Sequence, residues 1–182
     1  MRSMESAAAV LLAASCAVCA FGAQAPGPAV AVEKFFRVYL DGREGGVPVG
    51  AGLASFRPVI SAGLLALLER AGAAEEEYAH KTHNESPPLV EGDLFTSLFE
   101  GATSFRIEGC QAKATSATCR VALISLDPAG GKPVEWTDTV VLANEGGEWR
   151  VSDVEFGGTW QFMHAGRLVG LLESVIAQSK GP

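Results

Sequence analysis

No run of lysine or arginine occurs in this chain, and its 14 basic residues are outnumbered by 21 acidic ones, for a formal net charge of −7. A surface for polyanions needs clustered positive charge, so this balance argues against nucleic acid and anionic membranes as partners. Also missing are a nucleophile elbow, a phosphate-binding loop, a zinc triad and an evident Ser/His/Asp arrangement. No motif therefore ties the chain to one reaction. There is no internal repeat, and 182 residues suffice for one domain with a genuine core but not comfortably for two.

Long apolar runs are missing as well. The longest, Ala7 to Ala20 (AAAVLLAASCAVCA), is too short for the roughly 20 residues that span a bilayer. Arg2 precedes it and small residues follow, the pattern of a secretory signal peptide over residues 1–25. Ala23-Gln24-Ala25 fits the small-x-small rule, although Pro26 would follow the cut. Val18-Cys19-Ala20 and Ala20-Phe21-Gly22 are rival sites. Lipidation at Cys16 or Cys19 is the minor alternative, since neither cysteine has leucine three residues before it. Removing residues 1–25 takes away one charge of each sign, so the domain over 26–182 keeps its acidic balance and no transmembrane segment is expected in it.

Cysteine is scarce, at four residues. Two lie in the leader, and the other two sit in EGCQAKATSATCRV. A hairpin centred on Ala114 and Thr115 places Cys110 across from Cys119, and an oxidising compartment would close that pair as a structural disulfide. The spacing without a nearby histidine is poor for zinc.

From residue 29 onward the periodicity is helical, then extended. Val32, Phe35, Phe36, Tyr39 and Leu40 mark one helix face over Ala29–Asp41; Gly42–Gly52, rich in glycine, reads as a loop. Ser61 is placed as an N-cap for a helix burying Leu64, Leu67, Leu68 and Ala71, with an Ile60–Leu65 staple. Glu75–Glu85, the most polar segment, reads as a solvated face or loop. Its His80 and His83 lack the ordered ligands of a metal site, so no metal is expected there. In EGDLFTSLFEG, Asp93 is read as the cap of a short helix that buries Leu94, Phe95, Leu98 and Phe99 and stops at Gly101.

Strands follow around Phe105–Ile107, Val121–Leu126, Val134–Ala143 and Glu148–Phe156, with turns at Pro128-Ala-Gly-Gly and NEGG. Leu168, Leu171, Leu172, Val175 and Ile176 return to helical spacing. Helices before and after at least four consecutive strands imply an α+β domain, with helices packed on one face of a curved antiparallel sheet.

The helix FFRVYL, the block EGDLFTSLFEG, the WTD and GEWRVSDVEFGGTWQF segments and the closing amphipathic helix together resemble an uncharacterised domain family of small exported bacterial proteins. That family is similar to the cone-shaped fold of nuclear transport factor 2 and ketosteroid isomerase. The resemblance implies a periplasmic or secreted protein, and the cone fold alone selects no function.

Two readings follow. The favoured one is a non-catalytic exported binding or interaction module, without a cofactor, that receives a small molecule, a peptide or another envelope protein. The alternative is a cone-fold enzyme performing proton transfer or hydration with an acid in its pocket. His164 would be the relay in such an enzyme, although a single histidine near a helix start is more often structural. Candidate site residues are Asp138, Asp153, Trp136 and Trp160, with Trp149 assigned to the core.

The acids are chosen from the hairpin WTDTVVLANEGGEWRVSD. A two-residue turn at Glu145 and Gly146 pairs Leu142 with Trp149, Val140 with Val151 and Asp138 with Asp153. Like charges opposed in a sheet are unfavourable. Three resolutions stand at this point: a bulge near the glycines, a cation such as Arg150 or Arg106 between the acids, or a shared proton at the mouth of the cone.

Overall fold

A computed structural model describes residues 26–42, 45–86, 88–126, 130–161 and 163–180. The expected leader with Cys16 and Cys19, and Pro128 and Ala129 of the expected turn, lie outside the described residues.

The chain begins with α1 (Pro28–Asp41), whose proline occupies the first turn, where a missing N–H costs nothing. Val32, Phe35, Phe36 and Tyr39 are buried on one face, as their spacing requires, and each large side chain contributes on the order of 1.5–3 kcal/mol. Phe36 stacks on Phe105 at 4.9 Å, while Phe35 stands edge-on to Phe95. The outer face carries the exposed Arg37–Glu33 pair at 2.7 Å.

A second helix, α2 (Gly50–Phe56), stands where the sequence reads as a loop up to Gly52. Its glycines are poor helix formers, but Leu53 and Phe56 one turn apart gain burial, and packing overrides propensity. In α3 (Ala62–Lys81), Ser61 Oγ accepts from the Leu64 amide at 3.1 Å, the expected N-cap. The helix continues through Glu75–Lys81 with Glu76, Glu77 and His80 exposed on it, so this part is the solvated face of the two alternatives and not the loop. It ends beyond Lys81 in His83 and Asn84, both with positive φ.

The sheet is an antiparallel meander in the order β1 (Ser104–Ala112), β2 (Ser116–Ser125), β3 (Val134–Glu145), β4 (Glu148–Glu155). Along β2 and β3 buried residues alternate with more exposed ones: Ala117, Cys119, Val121 and Leu123 on one strand, Trp136, Asp138, Val140 and Leu142 on the next. That pattern belongs to a sheet covered on one face. The cover comes from the helices, which include α4 (Leu168–Gln178) with Leu168, Leu172 and Val175 buried. The architecture is α+β with a curved, open antiparallel sheet, as the periodicity implies. Cys110 and Cys119 are paired in register and joined by a disulfide. Among the described residues no helix is long and apolar enough to cross a membrane.

Two expectations are corrected. The block Asp93–Gly101 forms irregular bends rather than a short helix, and Phe99 is 46% exposed, whereas Leu94, Phe95 and Leu98 are buried as expected. The β3–β4 turn lies at Gly146 and Gly147, one residue later than the sequence reading, so Glu145 faces Glu148 and Asn144 faces Trp149. Both turn glycines have positive φ, the backbone a tight hairpin demands, and Asn144 Oδ1 accepts from the Gly147 amide at 3.0 Å. A bulge at Val141/Leu142 shifts the register again, giving Leu142 opposite Val151, Val141 opposite Asp153 and Val140 opposite Val154. Asp138 and Asp153 are therefore not opposed.

Candidate functional site

Separated in this way, the two aspartates have different partners. Asp138, 1% exposed, receives four donors. The Ser97 amide and the Trp136 indole donate to Oδ2 at 2.9 and 3.0 Å; the Gly157 amide donates to Oδ1 at 2.8 Å, joined there by the Ser97 hydroxyl. The Ser97 oxygen also accepts from the Gly158 amide at 3.1 Å. A buried carboxylate is costly unless its lone pairs are filled, and here β3, the Leu94–Phe99 bends and the chain after β4 fill them together. The close approach needs glycine: a Cβ on Gly157 would collide with the Thr137 carbonyl oxygen, and one on Gly158 would lie 2.8 Å from the Trp160 ring.

Trp136 and Trp160 meet edge to face at 5.7 Å beside this knot, so three of the sequence-derived candidates gather in one place. Asp153 does not join them. Its Oδ1 accepts from the Val154 amide at 2.8 Å and the Val169 amide at 3.0 Å, and its Oδ2 faces Arg167 Nε at 2.8 Å. Asp153 thus caps the start of α4 from a neighbouring strand, satisfying a donor that lacks an intrahelical partner. The cation beside it is Arg167, whereas Arg150 binds Glu148 and the Pro58 carbonyl, and Arg106 reaches Glu108. Trp149 is half-buried at the hairpin end, next to a small depression of ≈ 280 Å³.

Ser97 has no advance signal, because it lies in an apolar block where a serine reads as solvent-facing. Its hydroxyl is engaged on both sides and it is 0% exposed, a geometry unlike that of a nucleophile, which needs a base and an open approach. His164 is elsewhere: its Nε2 lies 2.6 Å from the Asp93 carbonyl oxygen, which places the proton on Nε2, and its backbone amide donates to the Ser97 carbonyl. The Asp93 carboxyl accepts from Thr96 Oγ1 within the bends and lies against Tyr39 and Gly101; with no helix following it, the expected helix-capping role is corrected. Burial raises the Asp93 pKa to about 6 against the opposing hydrogen bonds, and burial likewise pushes the Tyr39 hydroxyl up.

None of these candidates lines the large groove along α3. One wall is α3, contributing Leu68, Gly72, Ala73, Glu76 and Ala79. The facing walls are the glycine-rich strip at 45–50 with Val47 and Val49, and Asn84, Ser86, Pro88, Val90, Glu91 and Gly92. The groove holds ≈ 1170 Å³. Its walls are tied by backbone groups: the Gly46 amide donates to the Gly92 carbonyl at 2.7 Å, and the Glu75 carboxylate takes the Leu89 and Val90 amides at 3.0 and 2.8 Å. Glycine sets the width, since a Cβ on Gly72 would lie 3.0 Å from Val49 Cγ1. This site was invisible in sequence, where its two non-helical walls read only as loops.

Electrostatically the groove is one-sided. Glu69, Glu75, Glu76 and Glu91 line it, and no lysine, arginine or histidine does so among the described residues. Glu69 is held by Arg57 at 3.1 Å. The pair His80 and His83 forms no metal cluster, and no group of three or more His, Cys, Asp or Glu that could hold a metal occurs among the described residues. No protein-family model matches the chain, and no curated protein or solved structure matches it either.

Proposed function

We propose that this protein is an exported, non-catalytic binding module whose receiving surface is the groove along α3. The observation that carries this reading is the groove itself: a large, mainly apolar concavity held open by backbone hydrogen bonds and by Glu75. A site whose walls are already fixed pays little ordering entropy when a ligand enters. The disulfide fits an oxidising compartment, and with the apolar leader Ala7–Ala20 it supports a periplasmic or secreted location. The helices on one face of a curved meander agree with the cone-fold resemblance, which also favours an envelope protein of this kind.

The enzyme alternative draws less support. A general base needs a lone pair open to substrate, and both Asp138 oxygens are filled by protein donors. The test is amide NMR of the labelled protein against a library of small molecules and short peptides. Ligand-induced shifts should gather on Val47–Leu53, Leu68–Ala79 and Pro88–Gly92 and vanish in Ala73→Trp, which plugs the groove from an exposed helix position. Shifts centred on Trp136 and Trp160, unaffected by Ala73→Trp, would move the site to the aspartate knot and end this proposal.

A further inference from the structure

The geometry points to a cationic amphipathic peptide segment as the occupant of the α3 groove, an inference that rests on the binding-module reading above. Size is the first argument. Small-molecule sites occupy about 300–1,000 Å³, and this groove at ≈ 1170 Å³ exceeds that range while remaining open along its length. Its α3 wall runs from Leu68 to Ala79, a distance of about 16 Å at the helical rise, enough for a short peptide laid lengthwise.

Chemistry is the second argument. Val47 and Val49 supply the accessible apolar surface, with Val49 63% exposed, above the buried Leu53, Leu68 and Val90. Gly72 is covered by Val49, whereas Ala73 beside it is exposed and its short side chain leaves room on that helix face for an incoming side chain.

Charge is the third, and it selects the sign. Glu76 on α3 and Glu91 on the opposite wall make no hydrogen bond or ion pair among the described residues, whereas Glu69 and Glu75 are engaged within the protein. Two cations near the groove are engaged within the protein: Arg57 with Glu69, and Lys81 with Glu77 and the Ser179 carbonyl. An apolar floor between two unpaired carboxylates complements a segment with leucine-like residues on one face and lysine or arginine flanking them.

The test uses fluorescent twelve-residue peptides built from leucine and lysine, or from leucine and glutamate, titrated into the purified protein at physiological salt and read by anisotropy. The lysine peptide should bind saturably and the glutamate peptide at least about tenfold more weakly. Glu76→Gln with Glu91→Gln should weaken the lysine peptide about fivefold. Glu135→Gln with Glu173→Gln, an equal charge change at exposed positions outside the groove, should leave it unchanged, and Ala73→Trp should abolish it. Equal weakening by the two double variants would assign the binding to net charge and overturn the inference. Equal binding of both peptides, lost in Ala73→Trp, would overturn the cationic preference while leaving the groove as the site. If neither peptide binds but library compounds shift groove amides, the peptide occupant is wrong and the binding-module reading stands; if neither occurs, both fall.

Discussion

Ser97 holds Asp138 by both its backbone and its side chain: the amide donates to Oδ2 at 2.9 Å and the hydroxyl to Oδ1, across 41 positions of sequence. The two residues belong to different layers, so this contact locks the irregular Leu94–Phe99 bends onto the sheet.

Replacing Asp138 with asparagine puts an amide donor where the protein presents only donors. We expect a loss of about 2–4 kcal/mol in urea unfolding, with Ser97→Ala costing about 1–2 kcal/mol and the double variant costing less than the sum. A stability equal to wild type in Asp138→Asn would mean that the carboxylate is not the acceptor hub described here.

Asp153 should matter to α4 more than to the sheet. Asp153→Ala is expected to cost about 1–2 kcal/mol and to speed hydrogen exchange of the Val169 amide, which it accepts. Arg167→Ala should cost less, below about 1 kcal/mol, because that side chain is half exposed. The reverse ranking would show that the ion pair, rather than the cap, holds the helix start.

Asp93 should make stability depend on acidity. Its pKa is raised from 3.8 to about 6, chiefly by burial, so the fold binds its proton more tightly than the unfolded chain does. The stabilisation is therefore complete below pH 3.8 and is lost as pH rises through 6. A shift of this size corresponds to about 3 kcal/mol. Comparing wild type with Asp93→Asn by chemical denaturation between pH 4 and 7 isolates this contribution: the wild type should gain relative to the variant as pH falls. A constant difference across the window would place the carboxyl in solvent.

The Cys110–Cys119 disulfide closes a short loop, and its removal by paired Cys→Ala substitution should lower stability by about 2–3 kcal/mol without altering the sheet. Mass mapping without reductant should recover the linked peptides from protein isolated from its host. Two free thiols there would remove the support the disulfide lends to export.

Much of the architecture was legible because each element carries its own pattern. The 3.6-residue spacing of Val32, Phe35, Phe36 and Tyr39, the cap at Ser61 and the alternation along β2 and β3 depend only on which face must leave water, and neighbours in sequence decide that. The Cys110–Cys119 pairing followed for the same reason, from a hairpin whose centre was correctly placed.

Register and partners were decided at a larger scale. NEGG permits a turn one residue earlier or later, and local chemistry separates the two only weakly. The positive φ of both Gly146 and Gly147, and the Val141/Leu142 bulge, satisfy the rest of the sheet. That shift sent Asp153 to α4 and left Asp138 to Ser97, Trp136 and Gly157. Burial of Leu53 and Phe56 likewise made a helix among glycines. The groove depends most on tertiary structure, because its walls come from three separate stretches of chain and its width is set where Gly72 meets Val49. Sequence determines which residues seek burial and which need a hydrogen-bond partner; which partner each one finds depends on residues many positions away, and only the packed chain supplies them.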